Sequence, residues 1–357
     1  MDRTKCWATA AASIAWMPLA TAHHSGIVNY DMDLEVIHQD VTVLEWRFIN
    51  PHSQIVYEAP DADGNLVRWA AGTQNLNELR RFGYTPDSLQ PGQIVSIKGH
   101  PGRNQRPVMS INEVILEDGT AFSFYDPAPA ALLASASTQT RAAANNSLAG
   151  VWAWVGEPLP IEERSRAPDD AVLVDAYGQA PEMPTGEFGI YPLTEQGREF
   201  QLNWTADYDE CRPTSAWLGM AAPFMVEIEE SRAGRIYIRY EYLDQERVVW
   251  MDGRGHPALS RVPHTLQGHS VGHWEGETLV IQTVNMLSNQ ITRNGIYHTD
   301  QAVLTERISR QGDSLTVVRV LEDPDFLSRP IAEVVKRTFV PDGELLAYGP
   351  CELQLAD

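Results

Sequence analysis

Residues 53–83, SQIVYEAPDADGNLVRWAAGTQNLNELRRFG, contain the pattern that decides the fold of the first part of the chain. Two runs rich in β-branched and aromatic residues flank DADGN, which predicts two strands joined by a turn. The apolar spacing of NLNELRRFG then predicts a short helix, and Gly83 is placed to cap its end. The stretch therefore predicts the order strand, strand, helix.

Further strands are predicted on both sides of this stretch. VTVLEWRF (41–48) precedes it, and IVSIKGHP (94–101) and SINEVILEDGTAFSFY (110–125) follow it. Three strands, a helix and two more strands is the order of a five-stranded OB-like barrel, and small antiparallel sandwiches share it. We predict an OB-like domain over residues 23–126.

Residues 1–22 have the pattern of a secretory signal peptide. Arg3 and Lys5 precede a short, mostly apolar stretch, and residues 20–22, Ala-Thr-Ala, have the A-x-A form of a cleavage site. The stretch is shorter than the roughly 20 apolar residues of a membrane span. We expect a periplasmic or secreted protein with no membrane span. The formal charge of −21 repels phosphate backbones, so we expect no nucleic-acid partner.

The second half of the chain is predicted to be a larger β-barrel. Residues 127–147 have the Ala-, Ser-, Pro- and Asn-rich composition of a linker. Residues 148–357 then hold eight or more predicted antiparallel strands joined by tight turns, for example about Glu275-Gly276 and Gly312-Asp313. This pattern favours a lipocalin-like antiparallel barrel that holds one small ligand, with a jelly roll as the alternative.

Histidines near the predicted mature N-terminus suggest a metal site. Cleavage after Ala22 would make His23 the first residue, and its α-amino group and ring would then chelate a metal ion. His24, His52 and His100 are the candidate partners, and such nitrogen ligands suit copper or zinc. The alternative is that these are ordinary loop histidines.

A second group of histidines lies in the predicted larger barrel. Alternation along GHSVGHWE puts His269 and His273 on one face and Ser270 on the other, and an inward histidine face would suit acid–base chemistry. GHSVG matches the G-x-S-x-G pattern but lacks the strand and helix that a hydrolase nucleophile requires. Our candidates for catalysis are His269, His298, Asp252 and Arg254. Our candidates for the ligand pocket are Arg212, His256, His264 and His273.

Two cysteines remain after removal of the signal peptide. Cys6 leaves with the signal, and Cys211 and Cys351 stay in the mature chain. An even pair in an oxidising compartment predicts a disulfide, and two buried free thiols are the alternative.

Four segments of the first domain together resemble a domain of unknown function found in exported bacterial proteins. They are AHHS (22–25), INPHSQIVYE (49–58), NLNELRRFGYTPDSLQPGQIVSIKGHP (75–101) and LEDGTAF (116–122). The chain departs from this pattern after His100, where it reads PGRNQRPVMS and members usually run Gly- and Ser-rich.

The second domain resembles the region that often accompanies this family. ECRPT (210–214), DGRGHP (252–257) and QGHSVGHWEGETLVIQT (267–283) correspond, although Glu210 precedes the cysteine and His273 replaces a usual arginine. The resemblance supports pairing of Cys211 with Cys351. If the usual arginine anchors an anion, the ligand of this protein differs. The family implies no established activity.

The sequence supports three functional hypotheses. The first is an exported binding protein with copper or zinc at the N-terminal histidines and a small, largely apolar molecule in the second barrel. The second is a periplasmic lyase, isomerase or hydrolase in which His269 or His298 is the base, Asp252 orients it, and Arg254 or Arg212 binds an anion. The third is a structural envelope protein. No feature of the sequence sets an oligomeric state.

Overall fold

We analysed a computed structural model of the protein. It describes residues 29–61, 63–129, 147–155, 168, 170–174, 191–204, 211–231, 233–258, 263–292 and 295–352. The predicted signal peptide, His23, His24 and most of the predicted linker lie outside these residues. None of the helices in the described ranges is long and apolar enough to span a membrane.

The first part of the chain forms a closed five-stranded barrel followed by a short sixth strand. Strand β3 closes the barrel by pairing in parallel with β5, and β4 pairs antiparallel with both β1 and β5. The predicted OB-like barrel is therefore confirmed. Its elements are β1 Val36–Arg47, β2 Gln54–Pro60, β3 Leu66–Gly72, α1 Leu76–Arg81, β4 Ile94–Pro101, a 3-10 turn Arg103–Gln105, β5 Val108–Leu116 and β6 Ala121–Phe122.

Helix α1 forms where the sequence predicts it. The Asn75 side chain accepts a hydrogen bond from the amide of Glu78 (2.9 Å), which satisfies a free donor of the first turn. Gly83 follows the helix with φ +88°, a conformation that favours glycine at a helix end. Leu76 and Leu79 are fully buried and anchor the helix to the barrel core.

The second part of the chain forms a closed nine-stranded barrel, so the predicted β-barrel is confirmed. The strands follow the order β7-β9-β10-β11-β12-β13-β16-β17-β18, and β18 closes the barrel on β7. The remaining strands lie outside this ring. The elements are β7 Gly150–Trp154, β8 Val172–Leu173, α2 Glu195–Asn203, α3 Ala216–Ala221, β9 Val226–Ser231, β10 Arg235–Tyr240, a 3-10 turn Tyr242–Asp244, β11 Gln245–Trp250, β12 His269–Glu275, β13 Thr278–Val284, β14 Asn289–Gln290, β15 Tyr297–His298, β16 Val303–Gln311, β17 Ser314–Glu322 and β18 Ile331–Val340.

One strand pair of this barrel departs from the predicted antiparallel pattern. β11 and β12 are parallel, with Val249 opposite Ser270 and Trp250 opposite Val271. Parallel neighbours cannot be joined by a tight turn and need a longer connection. Residues 251–268 supply it.

The interior of the nine-stranded barrel holds α3 and several charged side chains. All six residues of α3 are buried. Arg337 donates to the main-chain oxygens of Met220 (2.6 Å), Ala222 (3.0 Å) and Phe224 (2.7 Å), and so satisfies carbonyls at the end of α3. Arg319 pairs with Glu333 and donates to the oxygen of Trp217.

A second buried ion pair, Arg247 with Glu306 (2.5 Å), crosses from β11 to β16. These groups occupy the space in which a lipocalin-like barrel would hold its ligand.

The end of the chain joins the two barrels. The predicted disulfide between Cys211 and Cys351 is confirmed. Beside Cys351, the main chain of Asn50 bonds to Pro350 (3.0 Å) and Glu352 (3.0 Å), which fastens the end of the chain to the first barrel. Arg81 of α1 also pairs directly with the buried carboxylate of Glu241 in the second barrel (3.0 Å).

Candidate functional site

A cleft of about 580 Å³ lies beside the second barrel, between α2 and strand β15. Its aromatic lining consists of Phe200, Trp204, Tyr297 and Phe326. Its polar lining consists of Gln196, Glu199, Asn203 and Arg212. The ring centroid of Phe200 lies 5.1 Å from those of both Tyr297 and Phe326, a spacing at which aromatic rings attract one another. The cleft therefore offers an aromatic wall with polar groups along it.

Helix α2 is placed over the cleft by its first turn. The hydroxyl of Thr194 accepts a hydrogen bond from the amide of Gly197 (3.0 Å) and donates to the oxygen of Asp325 (2.5 Å). A Cβ atom on Gly197 would lie 2.5 Å from the oxygen of Phe326, so only glycine allows this close approach. The helix is thus fixed against the turn that carries Phe326.

Asp323 fixes the opposite wall of the cleft. Its buried carboxylate accepts hydrogen bonds from the amide (2.6 Å) and hydroxyl (2.9 Å) of Thr299, and from the amide of Asp325 (3.1 Å). These bonds tie the turn that carries Phe326 to the end of β15, which carries Tyr297. Asp323 therefore positions two aromatic rings of the cleft.

Arg212 is the predicted site residue that lines this cleft. It directly follows Cys211, so the disulfide fixes the segment that presents its side chain. The aromatic wall and Asp323 were not predicted from the sequence, because they lie in a short helix, a two-residue strand and a turn that carry no recognised motif. The available signal was DPDF at residues 323–326, in which an aspartate before proline indicates a turn.

The predicted histidine face of β12 points away from the barrel interior. Ser270 is buried and its hydroxyl bonds to that of Thr283 (2.8 Å), so His269 and His273 occupy the outer face. Acid–base chemistry inside the barrel would require these histidines to point inward, whereas in the structure they point outward. His273 is largely exposed and contacts Glu275 (3.2 Å).

His256 and His269 meet on the outer face of the barrel. Their Nδ1 atoms lie 2.9 Å apart, and their rings are inclined at 72°. Burial, with a smaller contribution from the charge of Arg254, lowers the pKa of His269. Burial also lowers the pKa of His256, with a smaller contribution from His269. Both rings are therefore neutral at neutral pH.

The predicted catalytic carboxylate does not orient a histidine. Asp252 pairs with Arg254 (2.5 Å) at the surface, and the Arg254 guanidinium lies 3.8 Å from the ring centroid of Trp250. His264 instead lies near Asp300, with 3.6 Å between Nδ1 and Oδ2.

His298 and Ser215 form a buried pair behind the cleft. The Nε2 atom of His298 lies 3.0 Å from the hydroxyl of Ser215, and its Nδ1 atom lies 2.9 Å from the oxygen of Thr299. Nδ1 must donate to that carbonyl, so Nε2 accepts from the hydroxyl. Burial lowers the pKa of His298 and keeps the ring neutral. Neither side chain is exposed, and Ser215 directly precedes α3, so the pair fastens this helix.

The predicted metal ligands of the first barrel are oriented by main-chain oxygens. The Nδ1 atom of His52 lies 3.0 Å from the oxygen of Thr73, and that of His100 lies 2.9 Å from the oxygen of Leu34. A ring held in this way keeps Nε2 as the acceptor, which is how metal-binding histidines are commonly oriented. Asn112 contacts the Nε2 atom of His100 (3.0 Å).

The chain that precedes the first barrel enters beside His100. The main chain of Tyr30 bridges to Gly102, and the amide of Asp31 donates to the oxygen of Pro101 (2.9 Å). His23 and His24 lie outside the described residues. In the part of the chain that is described, no three His, Cys, Asp or Glu side chains converge as metal ligands would.

The first region of the chain is similar to a known family. A model of a family of unknown function, DUF6152, matches residues 11–109. This confirms that the first region resembles a family without an assigned activity. No curated protein and no solved structure matches the chain.

Proposed function

We propose that this protein is an exported binding protein that holds a small, largely apolar molecule in the cleft beside α2. The observation that carries this proposal is the aromatic wall of the cleft, with Arg212 at its polar side. Small-molecule sites are typically concave, largely aromatic or apolar, and furnished with a few polar groups. The volume of about 580 Å³ lies within their usual range of roughly 300–1,000 Å³.

The lining indicates the kind of molecule that fits. Phe200, Tyr297 and Phe326 present ring faces and edges to a flat apolar body. Gln196 and Asn203 offer both hydrogen-bond donors and acceptors, and Arg212 offers donors only. We therefore expect a ring-bearing ligand with one polar or anionic edge.

Binding fits this geometry better than catalysis. The enzyme hypothesis requires a general base within hydrogen-bond reach of the substrate. His298 has no exposed surface, and His269 lies on the outer face of the barrel. His298 thus lies behind the wall of the cleft, and His269 lies away from the cleft.

The proposal predicts that removal of the Phe200 ring weakens binding of an aromatic anion. The probe is anilinonaphthalene sulfonate, which combines fused rings with one negative charge. We expect Phe200→Ala to weaken its binding about tenfold or more, because the ring contributes on the order of 1.5 kcal/mol of contact. Fluorescence titration measures the effect.

Leu202→Ala is the matched control for this titration. Leu202 lies on the same helix, is 75% exposed and does not line the cleft. We expect Leu202→Ala to bind anilinonaphthalene sulfonate with the same affinity as the unaltered protein. Equal affinities in all three proteins, or an equal loss in both variants, would count against the cleft as the binding site.

We further propose a copper or zinc site at the N-terminus of the mature protein, with His23 and partners among His24, His52 and His100. The entry of the chain beside His100 supports it. Five residues lie between His24 and Tyr30, and the six steps along the chain extend at most about 21 Å, so His24 is within chain reach of the first barrel. The carbonyl-oriented rings of His52 and His100 also support the proposal, although a metal at Nε2 of His100 would displace the amide of Asn112.

The prediction is that loss of the two terminal histidines abolishes this copper site. His23→Gln/His24→Gln removes the ring that chelates together with the terminal amine, and it leaves no histidine among the first three residues of the mature protein. We expect tight Cu(II) binding in the mature protein and its loss in this variant, measured by calorimetry. Equal affinities would overturn this part of the proposal.

A further inference from the structure

We propose that His256 and His269 form a separate metal site on the outer face of the second barrel, selective for Cu(II) over Zn(II). Neither the proposed cleft nor the proposed N-terminal site includes these residues. The pair brings two imidazole nitrogens together on strand β12 and the loop before it, and so supplies two of the four ligands that such a site needs.

The two Nδ1 atoms are close enough to bind one ion. They are 2.9 Å apart, the distance of a hydrogen bond between the rings. Two nitrogen ligands about 2.0 Å from one ion are separated by about 2.8–3.3 Å, so only a small movement of the rings is needed. The preference for Cu(II) over Zn(II) follows from the position of Cu(II) at the head of the divalent affinity order for nitrogen ligands.

Metal binding must replace a hydrogen bond between the rings. At 2.9 Å one Nδ1 atom carries a proton and donates it to the other. When the ion binds, this proton moves to Nε2 of the same ring, and both Nδ1 lone pairs become ligands. The two neutral rings thus bind the ion without net release of a proton, after each ring has tilted towards it.

The charges near the site act in opposite directions. The charge of Arg254 lowers the pKa of His269 and so opposes a cation there, while Asp252 offsets part of that charge through a 2.5 Å contact with Arg254. The guanidinium is also held 3.8 Å from the ring centroid of Trp250. The formal charge of −21 on the whole chain attracts cations to the surface. Water would complete the coordination of the ion.

The test is Cu(II) titration of the His23→Gln/His24→Gln variant, so that the histidines at the N-terminus do not contribute. We expect one Cu(II) per chain, and an electron paramagnetic resonance spectrum with coupling to two imidazole nitrogens. His269→Ala and His256→Ala should each weaken this binding about 100-fold, roughly the effect of losing one strong ligand. Zn(II) should compete weakly.

His273→Ala is the matched control, because His273 lies on the same face of β12 and is largely exposed. It should bind Cu(II) as tightly as the parent form. Unchanged binding in His256→Ala and His269→Ala, or an equal loss in His273→Ala, would overturn the proposal. Equal unfolding temperatures of the variants establish that a loss of binding is not a loss of fold.

Discussion

Replacement of Arg337 with methionine should lower the free energy of unfolding of the second barrel by about 3–5 kcal/mol. Arg337 is fully buried and donates to the main-chain oxygens of Met220, Ala222 and Phe224. Methionine has a similar length but no donors, so these buried oxygens would lose their partner. Each unsatisfied group costs about 1–3 kcal/mol.

Urea unfolding followed by tryptophan fluorescence measures this change. Lys336→Met is the matched control, since its side chain lies on the opposite face of β18 and should change stability by about 0.5 kcal/mol at most. Arg337→Lys keeps the charge but has fewer hydrogen-bond donors. Its free energy of unfolding should lie between those of the unaltered protein and Arg337→Met. A methionine variant as stable as the unaltered protein would mean that packing alone holds α3.

Removal of the disulfide should be the second large effect. The Cys211–Cys351 bond closes a loop with a sequence separation of 140 residues, and its loss should lower the free energy of unfolding by about 2–5 kcal/mol. Because Cys211 precedes Arg212, the loss should also weaken binding in the cleft. The double variant Cys211→Ala/Cys351→Ala avoids a free thiol.

Thermal unfolding and probe titration of the double variant measure both effects. The unaltered protein treated with a reductant is the control, and it should behave like the double variant. A double variant with unchanged stability would show that the hydrogen bonds between Asn50 and the chain end suffice to fasten it.

Much of the architecture was predictable because the long strands alternate clearly and several of the turns between them contain glycine at the expected position. Gly83, Gly276 and Gly312 all adopt positive φ angles at the predicted helix end and hairpin turns. The parallel pairing of β11 with β12 was not predicted. The segment between these strands has loop composition, and such a composition does not indicate whether the second strand runs parallel or antiparallel to the first.

The content of the second barrel was also missed, although the sequence carried a signal for it. Arg319 is in phase with Leu315, Val317 and Leu321, which are fully buried, so alternation places its charge inside. A charged residue in phase with a buried face needs an internal partner. One partner of Arg319 is Glu333, and another is the main-chain oxygen of Trp217 in α3. This helix has six residues, which are too few to show a helical repeat in the sequence.

Part of the candidate site was also predictable from the sequence, and part of it was not. Arg212 was predicted and lies in the cleft, while its aromatic partners come from α2, β15 and the turn at residues 323–326, which only the fold assembles. The sequence does not determine which face of β12 points into the barrel, since both faces include polar residues. Contact of Ser270 with Thr283 decides it.

The most direct test of the cleft as the binding site is a crystal structure of the mature protein with anilinonaphthalene sulfonate. We expect the rings of the probe to lie against Phe200 and Tyr297, with its sulfonate at the polar side near Arg212. A probe bound elsewhere on the protein, with the cleft beside α2 vacant, would mean that the cleft is not the binding site.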